Sequence, residues 1–434
     1  MDPVLIGEIL AVLMFLGVIG TLLLGFPVSF SLAGTSLIFA LVGWSLGVFD
    51  PSNFGALAAR YVGFMTNEVL VAVPLFIFMG TVLERSQIAE ELLTTMGRVF
   101  GQLRGGLAFS VIAVGALLAA STGVVGATVV TMGLISLPAM LRAGYDPKLA
   151  CGVICASGTL GQIIPPSILL VLLGDQIGNT YLEAQQRRGN FAPEPVSVAD
   201  LFAGALVPGL VLVGLYALWL MLTLRRHRPR TPTPREKVAL SEVVLTFLPP
   251  VLLILAVLGS ILGGIATATE AAGLGAVGAG LMAAFSTTTQ RWERAVIGIA
   301  GLAAFALVAL KVAGVGRGGL GEAASVAAAL LLALGVLVAI GRLIRGRMLG
   351  GAMVETIKIS GMVFGIVIAA SMLSLVFRGF GGERAVEHLT REFPGGEMGA
   401  LLAVMVIVFL LGFILEAIEI IYIVVPLLGP AVLA

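Results

Sequence analysis

Residues 157–167 read Ser-Gly-Thr-Leu-Gly-Gln-Ile-Ile-Pro-Pro-Ser and lie inside an apolar run from 149 to 173. The two prolines remove two backbone donors and disfavour helical geometry at Ile164, and the two glycines before them lower helix propensity. We therefore predict a helix that is interrupted near its middle. The other interpretation is a simple proline kink between packed helices.

An interruption at this place has chemical consequences if the run lies inside a lipid bilayer. Unwound backbone at that depth exposes carbonyl oxygens, and it is costly to leave them without a polar partner. Hard oxygen ligands suit a small alkali cation such as Na⁺, so we predict a cation site. The half-helix that starts near Ser167 would direct its positive end to the same place, where a carboxylate substrate could be received. Gln162 would either hydrogen-bond that substrate or bridge two helices.

The composition places the chain in a membrane. Of its 434 residues, 59% are hydrophobic and only 11% are charged, whereas soluble domains carry about 25% charged residues. Apolar runs long enough to span a bilayer recur along the whole length. We therefore predict an all-α polytopic membrane protein. The net charge of +1 gives no reason to expect a nucleic-acid partner.

The sequence offers little for an enzyme. Its two histidines, His227 and His388, lie in polar segments, and no paired aspartates stand at membrane depth. An ATP-driven pump is disfavoured because the phosphate-binding pattern Gly-x-x-x-x-Gly-Lys-Ser/Thr does not occur. Cys151 and Cys155 lie one helical turn apart without a His or a second Cys pair nearby. We interpret both cysteines as small buried hydrophobes.

Two apolar runs are too long for one crossing. The run from 106 to 141 would measure about 54 Å as a single helix, against a hydrocarbon core of about 30 Å. It carries Ser121, Thr122 and Gly123 at its midpoint, and the run from 398 to 434 carries Glu416 at its midpoint. We predict that each run forms a re-entrant helical hairpin with its tip at membrane depth. An ordinary pair of spanning helices with a tight turn is the alternative.

Basic residues set the predicted orientation, because Lys and Arg accumulate in short cytoplasmic loops. The cluster from Arg225 to Lys237 is expected on the cytoplasmic side. Counting helices outward from it places Arg85, Arg142, Arg291 and Arg342 on the same side. One hairpin then opens from each side of the membrane. This is an inverted-topology repeat, an ion-transporter-like architecture in which substrate and ion sites lie near the midplane.

Three acids stand in the apolar second half of the chain. Glu270 follows Thr267 and Thr269 and is interpreted as a helix cap rather than a ligand. Glu416 and Glu419 lie at the tip of the second predicted hairpin, and acids inside a membrane are candidates for a functional site. The alternative is that both acids reach a water-filled cavity and only favour solubility there.

Several motifs occur in order along nearly the whole chain, and together they are specific. With them the chain resembles the large membrane subunit of the tripartite ATP-independent periplasmic (TRAP) transporters, in the branch labelled for mannitol or chloroaromatic compounds. The matching segments are Gly25-Phe26-Pro27-Val28, Val73-Pro74-Leu75-Phe76, Ser121-Thr122-Gly123-Val124, Leu137-Pro138-Ala139-Met140, Ser157 to Ser167, Ala268-Thr269-Glu270-Ala271-Ala272 and Gly412-Phe413-Ile414-Leu415-Glu416.

The resemblance implies a bacterial inner-membrane permease with a scaffold and a mobile transport domain, Na⁺-coupled elevator movement, a small partner membrane subunit and a periplasmic solute-binding protein. Cofactors other than the coupling ion are not expected. Combined with the interrupted helix, it gives two sets of candidate residues. The expected sodium ligands are Ser121, Thr122, Gly123, Ser157, Gly158, Thr159, Gly161 and Ile164. The expected substrate-binding residues are Gln162, Pro165, Pro166, Ser167 and Glu416.

The chain departs from the family pattern at two places. The helices near 295–314 and 323–341 look like a peripheral, lipid-facing insertion. A second Gly-and-Pro-Pro broken helix is expected after the last hairpin, but the sequence ends at Ala434. Half of the site would then come from elsewhere or belong to a longer product, and we expect weak or no transport by these residues alone.

These expectations define a domain plan and a function. The predicted function is import of a small organic anion driven by a Na⁺ gradient. The alternative is a Na⁺- or H⁺-coupled organic anion carrier of related architecture that needs no binding protein. The predicted divisions are 1–105 for scaffold helices, 106–173 for the first hairpin and broken helix, 174–200 for a periplasmic loop, 201–285 for scaffold helices, 286–347 for an inserted pair, 348–397 for a helix of repeat 2 with a periplasmic loop, and 398–434 for the second hairpin.

Overall fold

The computed structural model describes residues 2–86, 88–100, 105–122, 125–226, 239–312, 320–391 and 396–433. It is 87% helical and contains no strand within these ranges. The α-helices are α1 (Pro3–Leu23), α2 (Val28–Ser45), α3 (Gly55–Thr66), α4 (Glu68–Arg85), α5 (Ile88–Phe100), α6 (Gly106–Thr122), α7 (Val125–Arg142), α8 (Pro147–Thr159), α9 (Ile168–Arg187), α10 (Val198–Arg226), α11 (Leu240–Leu262), α12 (Ala268–Thr287), α13 (Arg291–Val312), α14 (Leu320–Arg345), α15 (Met348–Gly379), α16 (Gly382–Arg391), α17 (Gly396–Leu411) and α18 (Ala417–Leu433).

Seven of the described helices are long and apolar enough to cross a bilayer: α1, α2, α10, α11, α12, α14 and α15. An eighth span exists if the pair Pro51–Thr66 and Glu68–Arg85, bent by 55° at Asn67, counts as one. Helices suit the lipid bilayer because every backbone hydrogen bond is made within the segment. The predicted class of an all-α polytopic membrane protein is therefore confirmed.

The chain forms two compact units. The first consists of Met1–Leu70, Leu172–Val198 and Lys358–Ala434, and the second of Val71–Val171 and Ala199–Ile357. In the first unit, Leu411, Leu415 and Val424 pack against Phe15 and Ile19 of α1. The second unit contains α5 to α8 and α11 to α14 as packed neighbours. The predicted division into scaffold and transport domain concerns movement, and it stays a prediction.

Several helices begin where the sequence supplies a cap. The Asp2 carboxylate accepts from the Val4 N–H at 3.1 Å, with Pro3 at the first helical position of α1. Asp146 does the same for Lys148 at the start of α8, at 2.9 Å, again with a proline directly after it. Each carboxylate satisfies a donor that the helix itself leaves free, and proline tolerates the first turn.

The polar helices were missed by hydropathy. The structure adds α3, α5 and α16, and α9 continues to Arg187, so the loop predicted from 174 to 200 is helical over its first half. Residues 175–187 are polar but contain good helix formers and no proline. A hydropathy pattern marks where a helix can leave the bilayer. It does not mark where the helix ends.

The two long apolar runs each divide into two helices, as predicted. The run from 106 to 141 gives α6 and α7, and the run from 398 to 434 gives α17 and α18. At 16 to 18 residues these helices are about 24–27 Å long, slightly short of the hydrocarbon core of about 30 Å. Re-entrant hairpins and tightly joined spans both fit such lengths, so the re-entrant topology stays a prediction.

The two cysteines are exposed, contrary to the expectation that they are buried. Both lie on α8, whose opposite face carries the buried residues Val153, Ile154 and Ser157. An exposed face of a membrane helix must itself be apolar, so the hydrophobic pattern around Cys151 and Cys155 did not identify the inner face. Helices α13 and α14 pack against each other and against α12. Their role as an insertion stays a prediction.

Candidate functional site

The predicted break in the helix is confirmed. Helix α8 ends at Thr159, a 3₁₀ turn covers Leu160–Gln162, and α9 begins at Ile168. Within the break the N–H groups of Ile163 and Ile164 share the Leu160 carbonyl, each at 3.0 Å. The Ser167 hydroxyl donates to the Gln162 carbonyl at 2.9 Å and so spans the non-helical stretch.

The break leaves carbonyl oxygens without partners. Ile163, Ile164, Pro165 and Pro166 accept no hydrogen bond from any residue that the structure describes. Ile164, Pro165, Pro166 and Ser167 are nevertheless buried. The first N–H groups of a helix also lack partners within that helix, here at the start of α9. Buried backbone groups are nearly always satisfied, so these acceptors favour a bound polar species.

The helices of the first predicted hairpin lie directly against α8. A Cβ atom placed on Gly115 of α6 would be 2.6 Å from the Ser157 Cβ, and one placed on Gly158 would be 2.3 Å from Val129 Cγ2 of α7. Both distances are far inside an ordinary carbon contact of about 3.5–4.0 Å. Glycine is therefore required at both positions for α6 and α7 to approach the segment that precedes the break.

Apolar side chains close the other side of the break. Leu160 and Ile164 form a buried cluster with Ala116 of α6, Leu212 and Tyr216 of α10, and neighbouring residues. A Cβ on Gly209 of α10 would lie 3.3 Å from the Ile164 side chain. Because the surroundings are apolar, a cation bound at the break would depend on oxygen atoms of the break itself.

A second Pro-Pro pair shows that proline alone does not make such a break. Pro249 and Pro250 lie inside α11, and that helix continues from Leu240 to Leu262. At the break, by contrast, Gly158 and Gly161 precede the prolines and lower helix propensity. Gly161, in the 3₁₀ turn before the prolines, therefore distinguishes this segment from the continuous α11, whereas Gly158 lies in the regular part of α8.

The structure places the predicted ligands unequally. Ser157 and Gly158 lie in the regular part of α8, and the Ser157 hydroxyl donates to the Val153 carbonyl at 2.7 Å. Thr159 is exposed at the end of α8, and Gly161 and Ile164 lie in the break. Ser121 and Thr122 end α6, and Gly123 lies outside the described residues. The set of sodium ligands therefore stays a prediction.

Glu270 is a helix cap, as predicted. The Thr267 hydroxyl accepts from the Glu270 N–H at 3.2 Å, and the Glu270 carboxylate accepts from the Thr267 N–H at 2.9 Å. This reciprocal pair is a capping box, in which each side chain satisfies a free donor of the first turn.

Glu419 forms half of the same arrangement at the start of α18. Its carboxylate accepts from the Glu416 N–H at 3.2 Å, three residues before it at the start of α18. Glu419 is buried, with 4% of its surface exposed. Glu416 is exposed, and its side chain makes no hydrogen bond to the described residues. Glu416 is thus available to a ligand, whereas Glu419 supports the helix start.

Sequence reasoning missed a polar cluster in the first unit. Asp175 of α9 accepts from Asn67 Nδ2 at 2.8 Å, at the bend before α4. Asp175 lies outside the seven candidate spans, and burial raises its pKa although Asn67, Gln176 and Asn179 hydrogen-bond to it. Tyr422 is 3% exposed and within electrostatic range of Asp175, and its buried hydroxyl has no hydrogen-bond partner in the described part of the chain. The only sequence signal was a polar stretch directly after an apolar run.

Further along α9 lies a network of ion pairs. The two Glu183 oxygens accept from Arg378 at 2.8 and 3.0 Å, and Arg187 contacts both Glu183 and Glu383 at 2.8 Å. Burial alone would raise the pKa of Glu183, but the hydrogen bonds and charges of Arg378 and Arg187 outweigh it, so the pKa lies below its ordinary value. The network joins α9, α15 and α16.

The fold therefore defines a multi-pass helical membrane protein with a buried break in one helix, a feature that transporters use for ion and substrate sites. The family model described as "Tripartite ATP-independent periplasmic transporter, DctM component" matches residues 15–318 and 299–434. The chain belongs to this family of membrane permeases, which are transporters rather than enzymes and sit in the bacterial inner membrane. The mannitol or chloroaromatic branch stays a prediction.

Individual relatives carry different substrate names. The C4-dicarboxylate TRAP transporter large permease protein DctM of Vibrio cholerae is 34% identical over 270 residues, which cover 61% of this chain and 54% of the relative. The ectoine TRAP transporter large permease protein TeaC of Halomonas elongata is 32% identical over 58% of this chain and 55% of its own. The sialic acid TRAP transporter large permease protein SiaM of Vibrio cholerae is 28% identical over 59% and 55%. The chain spans about half the length of the curated relatives it matches.

Proposed function

We propose that the chain is the large permease subunit of a transporter that imports a small organic anion with a Na⁺ gradient. The single observation that carries the proposal is the buried break at 160–167 with its unpartnered carbonyl oxygens. Oxygen atoms of this kind suit a hard monovalent cation, and irregular backbone is tolerated at membrane depth where it lines such a site.

The residues divide into two roles. Backbone oxygens of Gly161 and Ile164, in the break, would bind the cation, whereas Ser121, Thr122 and Gly123 are candidate ligands through the family resemblance alone. The start of α9 at Ser167, with its positive helix end, would receive a substrate carboxylate. Movement of the loaded site across the membrane would follow the elevator mechanism that the resemblance implies.

The partners follow from the family. The word tripartite in the family description supports a complex with a small membrane subunit and a periplasmic solute-binding protein that delivers the substrate. Three relatives are named for C4-dicarboxylates, ectoine and sialic acid, and each of these compounds carries a carboxylate group. A carboxylate-bearing solute is therefore the proposed substrate class.

The cation site can be tested without knowing the substrate. Binding of ²²Na⁺ to the purified chain should be displaced by Na⁺ and not by K⁺. The double variant Pro165→Ala/Pro166→Ala restores two backbone donors and should weaken binding about tenfold, which corresponds to about 1.4 kcal/mol. The matched control is Pro249→Ala/Pro250→Ala in the uninterrupted α11, which should leave binding within about twofold. Equal effects of the two double variants, or displacement by K⁺, would refute the cation site.

Transport requires the partner proteins. Proteoliposomes with the small subunit and the binding protein should take up one of radiolabelled succinate, ectoine or sialic acid with Na⁺ outside. Uptake that persists when Na⁺ is replaced by K⁺ would contradict the coupling. A thermal-shift screen of the binding protein against organic acids would identify the substrate class if all three fail.

A further inference from the structure

An apolar groove of about 410 Å³ lies in the second unit, away from the break. Parts of α4, α12, α14 and α15 line it, including Leu75, Phe78, Gly280, Leu343, Met353 and Thr356. Thr356 is the only polar side chain among the described lining residues, and its hydroxyl donates to the Ala352 carbonyl. The groove therefore offers an occupant almost nothing but hydrocarbon.

The groove opens at the apolar surface of the unit. Ile340 and Met353 in its wall are 40% and 45% exposed, and Leu337 beside it on α14 is 68% exposed. Along α15 the wall extends from Leu349 to Thr356, a length of about 10 Å at 1.5 Å per residue. Its volume falls in the range of about 300–1,000 Å³ that small ligands occupy. An apolar chain fits this shape and chemistry.

One end of the groove is basic. Helices α4 and α14 end there at Arg85 and Arg345, and α15 starts there at Met348. The Arg85 guanidinium lies over the first turn of α15, since a Cβ on Gly351 would be 2.5 Å from Arg85 Nη1. The arginines at this end belong to the set that the sequence assigns to the cytoplasmic side.

The arginines at this end differ in how they are used. Arg345 lies 3.2 Å from the buried carboxylate of Glu293, and Arg342 donates to the Thr287 carbonyl, so both are engaged within the unit. Arg85 and Arg347 are exposed, and their side chains make no hydrogen bond or ion pair with the residues described. The basic end of the groove therefore has two arginines with available donors: Arg85, whose guanidinium lies over α15, and Arg347, which lies between the lining residues Leu343 and Leu349 in the chain.

The backbone at Arg347 is unusual. Its φ of 57° is the only left-handed conformation among the described non-glycine residues. Its N–H donates to the Ile344 carbonyl at 2.9 Å and closes α14, a position that glycine fills at lower cost. An arginine at a place that favours glycine is consistent with a requirement for its charge.

We propose that this site binds an anionic phospholipid of the cytoplasmic leaflet, with one acyl chain in the groove and the phosphate held by Arg85 and Arg347. Guanidinium groups bind phosphate oxygens through charge-assisted hydrogen bonds, and basic pockets between membrane helices on the cytoplasmic side take anionic headgroups. The lipid would tie α4 and α14 to the start of α15, because it contacts all three.

Native mass spectrometry of the full chain, with phosphatidylglycerol and phosphatidylcholine of identical acyl chains, tests the site. We expect about tenfold preference for phosphatidylglycerol. Arg85→Gln and Arg347→Gly should each remove most of this preference, whereas Arg142→Gln, at the end of α7, should not. Arg347→Gly also relieves the left-handed strain, so its thermal midpoint in detergent without added lipid should equal or exceed that of the wild type. Loss of binding without loss of stability separates charge from folding.

A separate substitution tests whether the acyl chain lies in the groove. Nothing lies within 4 Å of a Cβ on Gly280, which lines the groove, or on Gly273 of the same helix, which does not. Gly280→Leu should abolish lipid binding, and Gly273→Leu should leave it unchanged. The proposal fails if both lipids bind equally, if Gly280→Leu binds normally, or if inorganic phosphate alone displaces the lipid. It also fails if a copurifying polypeptide or a second copy of the chain occupies the groove.

Discussion

The contact between α7 and α8 gives a sharp prediction through Gly158. Replacing Gly158 by alanine adds one carbon that would stand 2.3 Å from Val129 Cγ2 and 3.2 Å from the Val129 Cα. Rotation of Val129 offers little relief, because β-branched residues have one strongly preferred rotamer in a helix. The two helices must therefore separate by roughly 1 Å to reach an ordinary carbon contact.

The change in stability caused by Gly158→Ala is the sum of two opposing effects. Overpacking of this kind costs about 1–3 kcal/mol. Alanine recovers about 1 kcal/mol relative to glycine inside a helix. The net effect of Gly158→Ala is a destabilisation of about 0–2 kcal/mol. At Gly152, on the same helix, a Cβ meets nothing within 4 Å, so Gly152→Ala should be stabilising by up to about 1 kcal/mol.

The assay compares thermal midpoints and ²²Na⁺ binding of the two variants in one detergent. Gly152→Ala should unfold at or above the wild-type temperature with unchanged binding. Gly158→Ala should unfold at a lower temperature than Gly152→Ala and bind Na⁺ more weakly, because α7 no longer packs closely against the segment before the break. Adding Val129→Ala removes Cγ2 and should restore part of both. The reasoning is refuted if Gly158→Ala matches Gly152→Ala, or if Val129→Ala gives no recovery.

Two further predictions concern helix ends and pH. Thr267→Ala breaks the capping box with Glu270 and should cost about 1 kcal/mol, seen as a lower thermal midpoint, whereas Thr246→Ala inside α11, whose hydroxyl only donates to the Glu242 carbonyl, should change the midpoint less. Because the pKa of Glu183 is lowered in the fold, its contribution to stability is fully present above its ordinary pKa of about 4.3 and is lost as the pH falls through the lowered value. Thermal midpoints measured from pH 7 to pH 3 should fall more steeply in the wild type than in Glu183→Gln, and parallel curves would contradict the role of the ion-pair network.

The break was predictable because it is written in local chemistry. Prolines remove backbone hydrogen-bond donors and glycines lower helix propensity wherever they occur. The sequence of residues 157–167 therefore predicts an interruption without knowledge of tertiary contacts. A pair of prolines is not sufficient by itself to predict a break, however, since Pro249 and Pro250 lie in a continuous helix. The capping box at Glu270 was equally local, because a Thr three residues before a Glu makes both of its bonds within one turn.

Features that depend on distant contacts could not be predicted. Asp175 and Asn67 are 108 residues apart and meet only in the folded unit. Gly158 looked like a helix breaker, whereas in the structure it lies in the regular helix and its lack of a side chain admits Val129. Hydropathy also left α9 undefined beyond the bilayer, where helix formation depends on packing and ion pairs.

Glu416, directly before α18, would limit the choice of substrate if it binds one as predicted. At α12 the side chains of Thr267 and Glu270 each accept from the other residue's N–H, but at α18 only the Glu419 carboxylate accepts, from the Glu416 N–H. Glu416 is left exposed as an acceptor without a partner in the described chain. If Glu416 binds the substrate as predicted, it repels a plain carboxylate and favours one that also carries hydroxyl or amino donors. Glu416→Gln should therefore reduce the uptake of a substrate with such donors more strongly than the uptake of a simple dicarboxylate.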